Sequence, residues 1–469
     1  MMPARLSLLA AALLLAACAG PQPATLQEAA ELPALPSHWL APARTDGNLA
    51  EQRHADLFKD AELEQLIQEG LRNNRELRTA ARRVQLAQAQ LGLQDSARWP
   101  HLGLGAGGTR QRAPSGLSAS ENTTSTVYNT GLALPAWEID LWGRLGDLSA
   151  AAQLSVEASA ALRQFVQVGL ISRITAGWLT LLEIDQSLAI STRTEQSRAD
   201  SLRIMNLRFK AGVVSMVDVS QAETSLAQAQ AAKAQLLQRR GLQENALSLL
   251  VGRNPGPIRP SRGLASFTLP EALPAGLPSD LLLRRPDVRA AEMSVAASRA
   301  SVSAARKAYL PSISLSGFLG FVSPQLSALL QSERSAYTVS PSLSLPLFTG
   351  GALQSGLAVA EAQQGLALED YARTAQTALR EVEDALLSFQ QLRQQGLAME
   401  RIVAASRERL RLVELRYKNG ISSYFEVLDS QRQLFDAELQ QAQLSSGTYA
   451  SVIELYRALG GGWEAAPKS

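Results

Sequence analysis

The chain has one cysteine, Cys18, and three histidines, His38, His54 and His101, in 469 residues. A single cysteine excludes an intramolecular disulfide and any Cys-based metal site. None of the histidines has a partner at ligand spacing or a catalytic neighbour, which speaks against metal-hydrolase and Ser-His chemistry. Aromatic residues are scarce, 5% of the chain against 46% hydrophobic residues overall, and Ala and Leu are abundant. That balance suits long packed helices better than a large α/β core. No sign of charge dominates: 45 Lys and Arg face 43 Asp and Glu, a net charge of +2. A nucleic-acid binder usually carries a clear basic excess, so no nucleic-acid partner is expected. No constellation able to support catalysis stands out, and no enzyme activity, cofactor or metal site is expected. After Cys18 no stretch is read as a transmembrane helix, so any membrane span is expected to be β.

The N-terminus reads as a targeting segment. Arg5 supplies a positive start, and Leu6 to Ala17 is an apolar run too short to cross a bilayer, which takes about 20 residues. It ends in Leu15-Ala16-Ala17-Cys18, small residues before a cysteine, as a lipoprotein signal peptidase accepts. Residues 1–17 are therefore expected to be a signal peptide and Cys18 the lipidated first residue of the mature chain. The bland alternative is an ordinary signal peptide with a chance cysteine. Ala19 and Gly20 follow with no aspartate, compatible with the outer membrane.

Proline is absent from two stretches of near-equal length, Ala136 to Asn254 and Leu347 to Ala466, each opening just after a Leu-Pro pair. These pairs lie 211 positions apart, as do Trp99-Pro100 and Leu310-Pro311. Leu207-Arg208-Phe209-Lys210-Ala211-Gly212 resembles Leu415-Arg416-Tyr417-Lys418-Asn419-Gly420 at an offset of 208, and Asp218-Val219 then faces Glu426-Val427. An ordered series of matches at almost one offset indicates two structural repeats. Each repeat reads as a lead helix (about 59–97 and 279–308), two β runs, a very long helix, a Gly turn at Gly212 or Gly420, and a shorter returning helix. Leu154, Ala158, Ala161, Phe165 and Val168, and again Ala375, Leu379, Val382, Leu386 and Phe389, repeat at 4-3-4-3, a heptad seam. The expected organisation is an N-terminal surface segment over 18–58, repeats over 59–254 and 279–460, a Pro- and Gly-rich linker over 255–278, and a tail over 461–469.

The β runs, about 99–112, 125–136, 311–322 and 336–347, alternate small polar with apolar residues. Ser340, Ser342 and Ser344 alternate with Pro341, Leu343 and Leu345, and Ser312, Ser314 and Ser316 with Ile313, Leu315 and Gly317. A strand between lipid and a wet lumen needs that alternation, and so does a half-buried strand of a soluble sandwich. Trp99, Trp137 and Trp142 at strand ends suit an interfacial girdle. Four strands cannot close a barrel, and an open edge cannot face lipid, so a membrane reading requires oligomerisation. Two subunits would give eight strands and three would give twelve.

The lipoprotein signal, the duplicated helix–hairpin–long-helix order, the two Gly-turn motifs and Trp137-Glu138-Ile139-Asp140-Leu141-Trp142-Gly143-Arg144 resemble the TolC-type outer-membrane efflux factors. The likeness is to the OprM-like (NodT-type) lipoprotein branch serving resistance-nodulation-division pumps. The resemblance implies a mainly α fold with a transmembrane β-barrel: a homotrimer whose twelve-stranded barrel, four strands per chain, continues into a long periplasmic α-helical coiled-coil barrel. It implies a passive exit channel for drugs or other small molecules. Its implied partners are a periplasmic membrane-fusion adaptor, an inner-membrane pump and outer-membrane lipid. It also implies a periplasmic gate at Asp218 and Tyr417, joined to each other, and an acidic entrance ring at Glu426 and Asp429. Ser422 stands where the best-known member of the family carries a linking arginine. From the residues alone, Glu426 and Asp429 read equally as solvated charges or as partners of Arg432. The competing reading of the whole is a lipid-anchored periplasmic coiled-coil scaffold without a channel.

Mass spectrometry of the mature N-terminus is expected to show a chain that begins at Cys18 and carries lipid. An unmodified first residue, or cleavage elsewhere, contradicts the lipoprotein reading.

Overall fold

A computed structural model of the chain describes residues 36–41, 47, 49–51, 57–112, 124–267 and 273–461. The expected signal peptide, Cys18 and residues 462–469 lie outside the described residues. The helices are α1 (Ala61–Asn73), α2 (Arg75–Ser96), α3 (Arg144–Lys210), α4 (Met216–Val251), α5 (Pro278–Arg284), α6 (Pro286–Lys307), α7 (Ala352–Lys418) and α8 (Tyr424–Ala458). The strands are β1 (Gly103–Arg112), β2 (Thr124–Ile139), β3 (Ser312–Ser323) and β4 (Ser335–Ser344). The order α1-α2-β1-β2-α3-α4 recurs as α5-α6-β3-β4-α7-α8. Both long helices, α3 and α7, have 67 residues, about 100 Å at the α-helical rise. The chain divides into two compact units, one over Arg83–Ser159 and Ala290–Ala372, the other over Pro33–Arg82, Ala160–Arg289 and Arg373–Ser469.

The first unit contains one antiparallel sheet in the order β1-β2-β3-β4. Its register sorts side chains by parity. Leu104 lies opposite Leu132, Leu132 opposite Leu319, and Leu319 opposite Tyr337. With them on one face stand Leu315, Val339 and Leu343. The other face carries Gly105, Gly131, Ser314, Ser316, Ser340 and Ser342, with Phe318 its largest member. Only Ser323 of all the strand residues is buried. A soluble sandwich buries one face of each sheet; this sheet buries neither. The register slips between Leu134 and Trp137, at Pro135, where the missing N–H suits a bulge. Gly131 and Gly320 face each other across β2 and β3 so closely that a Cβ on either would sit 2.4 or 2.2 Å from a carbonyl oxygen of the opposite strand.

The Trp137–Arg144 motif builds the joint from β2 into α3. Asp140 accepts hydrogen bonds from the amides of Leu145 and Gly146, capping the helix. Arg144 forks onto Glu138 at 3.1 and 2.6 Å. Gly143 takes φ +74°, and its carbonyl accepts from Lys307, which also pairs with Asp147 at 2.7 Å. The indole N–H groups of Trp137 and Trp142 donate to the carbonyls of Arg98 and Pro311.

The second unit is helical. Its core joins Leu63, Leu66 and Ile67 of α1 to Leu170, Ile174, Trp178 and Leu182 of α3, Leu247 and Val251 of α4, and Tyr449 and Ile453 of α8. The Trp178 indole donates to Asp60, whose other carboxylate oxygen caps α1. The expectation that no later stretch has transmembrane character needs correction: α3 holds an 18-residue window of mean hydropathy 1.4, apolar enough by length and composition to cross a bilayer. That window is 56% buried inside the protein, as a core helix would be. Seam residues Ala158, Ala161, Val168, Ala375, Val382, Leu386 and Phe389 are buried. Residues of the N-terminal segment pack on the helices: Trp39 is 6% exposed and donates to the Gly276 carbonyl, and the Glu383 carboxylate receives the amides of Leu40 and Ala41.

Each lead helix is broken, unlike the single helices expected. Asn74 and Arg285, 211 positions apart, have extended backbones (ψ 131° and 125°). Proline after Arg285 disfavours the helical conformation there. Both side chains reach the end of a returning helix. Asn74 donates to the carbonyl of Leu250 in α4, and Arg285 to that of Ala458 in α8. Arg285 is 2% exposed and also pairs with Asp287 and Glu381, each at 2.7 Å. Burial alone would lower its pKa, but the two carboxylates outweigh this and raise it. Removing one member of such a network strands the others, so Arg285→Ala is expected to cost about 3–5 kcal/mol. Asn74→Ala is expected to cost about 1–3 kcal/mol. Denaturant midpoints of the two variants check both the order and the sizes.

Candidate functional site

The ends of α3, α4, α7 and α8 bring together the gate and entrance residues read from the sequence. The two long helices stop in the same way. Gly212 (φ +70°) donates to the Phe209 carbonyl and Val213 to that of Arg208. Gly420 (φ +74°) donates to the Tyr417 carbonyl and Ile421 to that of Arg416. The wide bonds from Val213 and Ile421, closing over a left-handed glycine, are a Schellman end. The returning helices also start alike. The Asp218 carboxylate accepts from the backbone N–H of Ser215 at 3.0 Å and its hydroxyl at 2.8 Å, and the Ser215 hydroxyl accepts from the Asp218 amide. Glu426 accepts from the amide and hydroxyl of Ser423 at 3.3 and 3.4 Å. Asp218 and Glu426 are thus equivalent capping-box residues of the two repeats.

The expected bond between Asp218 and Tyr417 is not among the described hydrogen bonds: one carboxylate oxygen of Asp218 accepts from Ser215, and the Tyr417 hydroxyl accepts from Arg208. Asp218 faces its own cap. The Tyr417 hydroxyl accepts from Arg208 at 2.5 Å, and the Arg208 guanidinium lies 5.2 Å from the Tyr417 ring centroid. Tyr417 also contacts Met205 sulfur at 3.8 Å and packs against Tyr424 at 5.6 Å between centroids. Met205, Val219, Ala222, Tyr424 and Val427 form the buried cluster beneath it. The Tyr424 hydroxyl is buried without a hydrogen bond of ordinary geometry, and burial pushes its pKa up. Ser422, at the position of the family's arginine, has a buried hydroxyl with no partner among the described residues.

Asp429 is not a free acid. It pairs with Arg432 at 2.9 Å and with Arg409 at 3.2 Å, and accepts from Gln433 at 2.8 Å. Higher up, Arg198 is 5% exposed, donates to the Ser225 carbonyl and stacks 5.5 Å from the Phe435 ring. Burial lowers its pKa. Between α4 and α8 runs a groove of about 590 Å³ whose walls include Arg198, Met216, Val217, Phe425, Leu428 and Arg432. Met216, Val217 and Phe425 are more than half exposed, as are Val213 and Ile421 at the turns. Reading the sequence missed Arg208, Arg409 and Tyr424. The signal for Arg208 was present in the repeat, since it matches Arg416, but not the cross-repeat contact it makes.

Comparison with known proteins gives consistent results. The family model described as outer membrane efflux protein matches residues 66–253 and 277–461. The chain is 35% identical over 408 residues to the outer membrane protein OprJ of Pseudomonas aeruginosa, covering 86% of this chain and 85% of that protein. It is 35% identical over 410 residues to the solvent efflux pump outer membrane protein SrpC of Pseudomonas putida, covering 87% of each. Among solved structures, the open state of the MtrE outer membrane channel of Neisseria gonorrhoeae superposes with a TM-score of 0.82 at 31% identity, over 91% of this chain and 96% of that one. A membrane protein from Pseudomonas aeruginosa superposes with a TM-score of 0.83 at 34% identity, over 92% and 97%.

Removing a cap costs about 0.5–2 kcal/mol of local stability. Ser215→Ala is therefore expected to speed hydrogen exchange of the first-turn amides of α4 while those of α8 are unchanged, and Ser423→Ala the reverse. Exchange followed by mass spectrometry reads this directly.

Proposed function

The chain belongs to the outer membrane efflux protein family, and on that premise we propose that it is the exit channel of a tripartite efflux pump, conducting drugs or other small molecules passively out of the cell. One observation carries the reading. The sheet presents an apolar face and a face of mostly small residues rich in glycine and serine, buries neither, and leaves β1 and β4 as free edges. An apolar face exposed on a sheet is stable against lipid, and a small polar face against a water-filled lumen. Free edges in lipid cost several kcal/mol for each unpaired backbone group, so β1 of one copy pairs with β4 of the next. Three copies give twelve strands and an open lumen. This is a homotrimer in the outer membrane, with Cys18 as a lipid anchor and α3, α4, α7 and α8 reaching into the periplasm.

The turn end of those helices is the gate and the docking end. Tyr417 and the capped start of α4 at Asp218 hold the helix ends together. Glu426 and Asp429 put carboxylates at the entrance, with Asp429 shared between Arg409 and Arg432. The exposed apolar residues Val213, Met216, Val217, Ile421 and Phe425 offer a surface for the periplasmic adaptor, which joins the channel to an inner-membrane pump of the resistance-nodulation-division type. The same sheet argues against the scaffold alternative, because a soluble sandwich covers one of its faces. The extents 1–17, 18–58, 59–254, 255–278, 279–460 and 461–469 remain our proposed division of the chain.

Reconstitution in planar bilayers tests the function: purified trimers are expected to give discrete conductance steps, and copurification after crosslinking is expected to recover an adaptor. Facing is tested by arginine substitution. Leu343→Arg is expected to cost about 2–4 kcal/mol near the bilayer midplane and lower the yield of trimers, while Ser342→Arg assembles. Equal assembly of the two variants reverses the assigned faces.

A further inference from the structure

Arg208 is a cation for which the described residues supply no carboxylate. It sits in the last turn of α3, and its only described partner is Tyr417 in the last turn of α7. The contact uses both properties of the phenol: the guanidinium lies against the ring and one N–H donates to the hydroxyl. Lysine has no planar fork to make both contacts at once. The pair is also asymmetric between the repeats. The positions equivalent to Arg208 and Tyr417 are Arg416 and Phe209, and Phe209 offers no hydroxyl. One repeat thus contributes the cation and the other the acceptor, so the contact crosses from the α3–α4 hairpin to the α7–α8 hairpin. Below it Met205 of α3 is buried, so any movement that separates the two hairpins breaks the guanidinium contact together with the contact of the Tyr417 hydroxyl with the Met205 sulfur. Asp218 gives one carboxylate oxygen to Ser215 and makes no described hydrogen bond to Tyr417.

We propose that Arg208 is the positioning residue of the gate: through its stacked, hydrogen-bonded contact with Tyr417 it ties the two helical hairpins of each protomer together and favours the closed end of the channel. The inference rests on the reading of this end as the gate.

The test uses full-length, lipidated trimers in planar bilayers, with vancomycin sensitivity of cells expressing each variant as a second readout. Arg208→Gln and Tyr417→Leu are each expected to lower the closed-to-open ratio by about tenfold, the order expected for one cation–π and hydrogen-bonded contact. The double variant is expected to show no more than either single change, because each removes the same contact. Arg208→Lys is expected to rescue only part of the loss, and Tyr417→Phe to fall between the parent and Tyr417→Leu. Arg203→Gln, which removes an exposed cation paired with Asp200 on the same helix, is expected to leave conductance unchanged. Trimer yield measured for every variant separates gating from misfolding. Effects of Arg208→Gln and Tyr417→Leu that simply add, or an Arg208→Gln channel that behaves as the parent, overturn the assignment of Arg208. To separate this from failure of the gate reading, Val213→Cys and Ile421→Cys are joined by a bifunctional maleimide. If joining changes conductance and Arg208→Gln does not, only Arg208 is excluded. If joining changes nothing, this end is not the gate and both readings fall.

Discussion

Backbone groups at the edge of a sheet must be paired, and the described residues form four strands with two edges free. In water such edges are tolerable; in hydrocarbon they are not. Everything else in the sheet is consistent with copies of the chain supplying the missing partners. Its apolar face has no packing layer. Its other face is mostly small residues, with Phe318 the largest, and at Gly131 and Gly320 the two strands approach so closely that no side chain fits. A sheet built in this way is stable only as part of a closed ring.

The helical part is governed by a second economy, duplication. The same local solutions appear twice: Schellman ends at Gly212 and Gly420, capping acids at Asp218 and Glu426, and reaching side chains at Asn74 and Arg285. Where the two copies differ, the chemistry changes. Asn74 makes an uncharged joint with α4, whereas Arg285 brings a buried cation that must be balanced by Asp287 and Glu381. At the helix ends, Phe209 in one copy and Tyr417 in the other create a site for Arg208 that a perfect duplication would lack. The differences between repeats, rather than the repeats themselves, are where this chain departs from a plain structural array.

Charge near the turns follows the same logic. Two acids spaced three apart on α8 are placed on one face, yet they do different work. Glu426 folds back onto Ser423, as its position in a helix cap dictates, while Asp429 is held by Arg409 from α7 and Arg432 from its own helix. The field at this end is therefore set by arginines as much as by carboxylates.

The element order, the duplication, the ends of the long helices and the alternation of the strands are all legible in the amino-acid sequence. These rest on local rules: heptad and period-two spacing, proline-free stretches and glycines that take a left-handed backbone. It also made the four-strand deficit visible, since counting strands needs no coordinates. Only the tertiary structure decided the rest, because those features depend on residues far apart in the chain. The Asn74 side chain at the break bonds to Leu250, and just over half of the apolar window of α3 is buried inside the protein. The family resemblance pairs Asp218 with Tyr417. In the structure one carboxylate oxygen of Asp218 accepts from Ser215, three residues away and always within reach, and the phenol of Tyr417 accepts from Arg208, which reaches it only once two hairpins from different repeats have packed side by side.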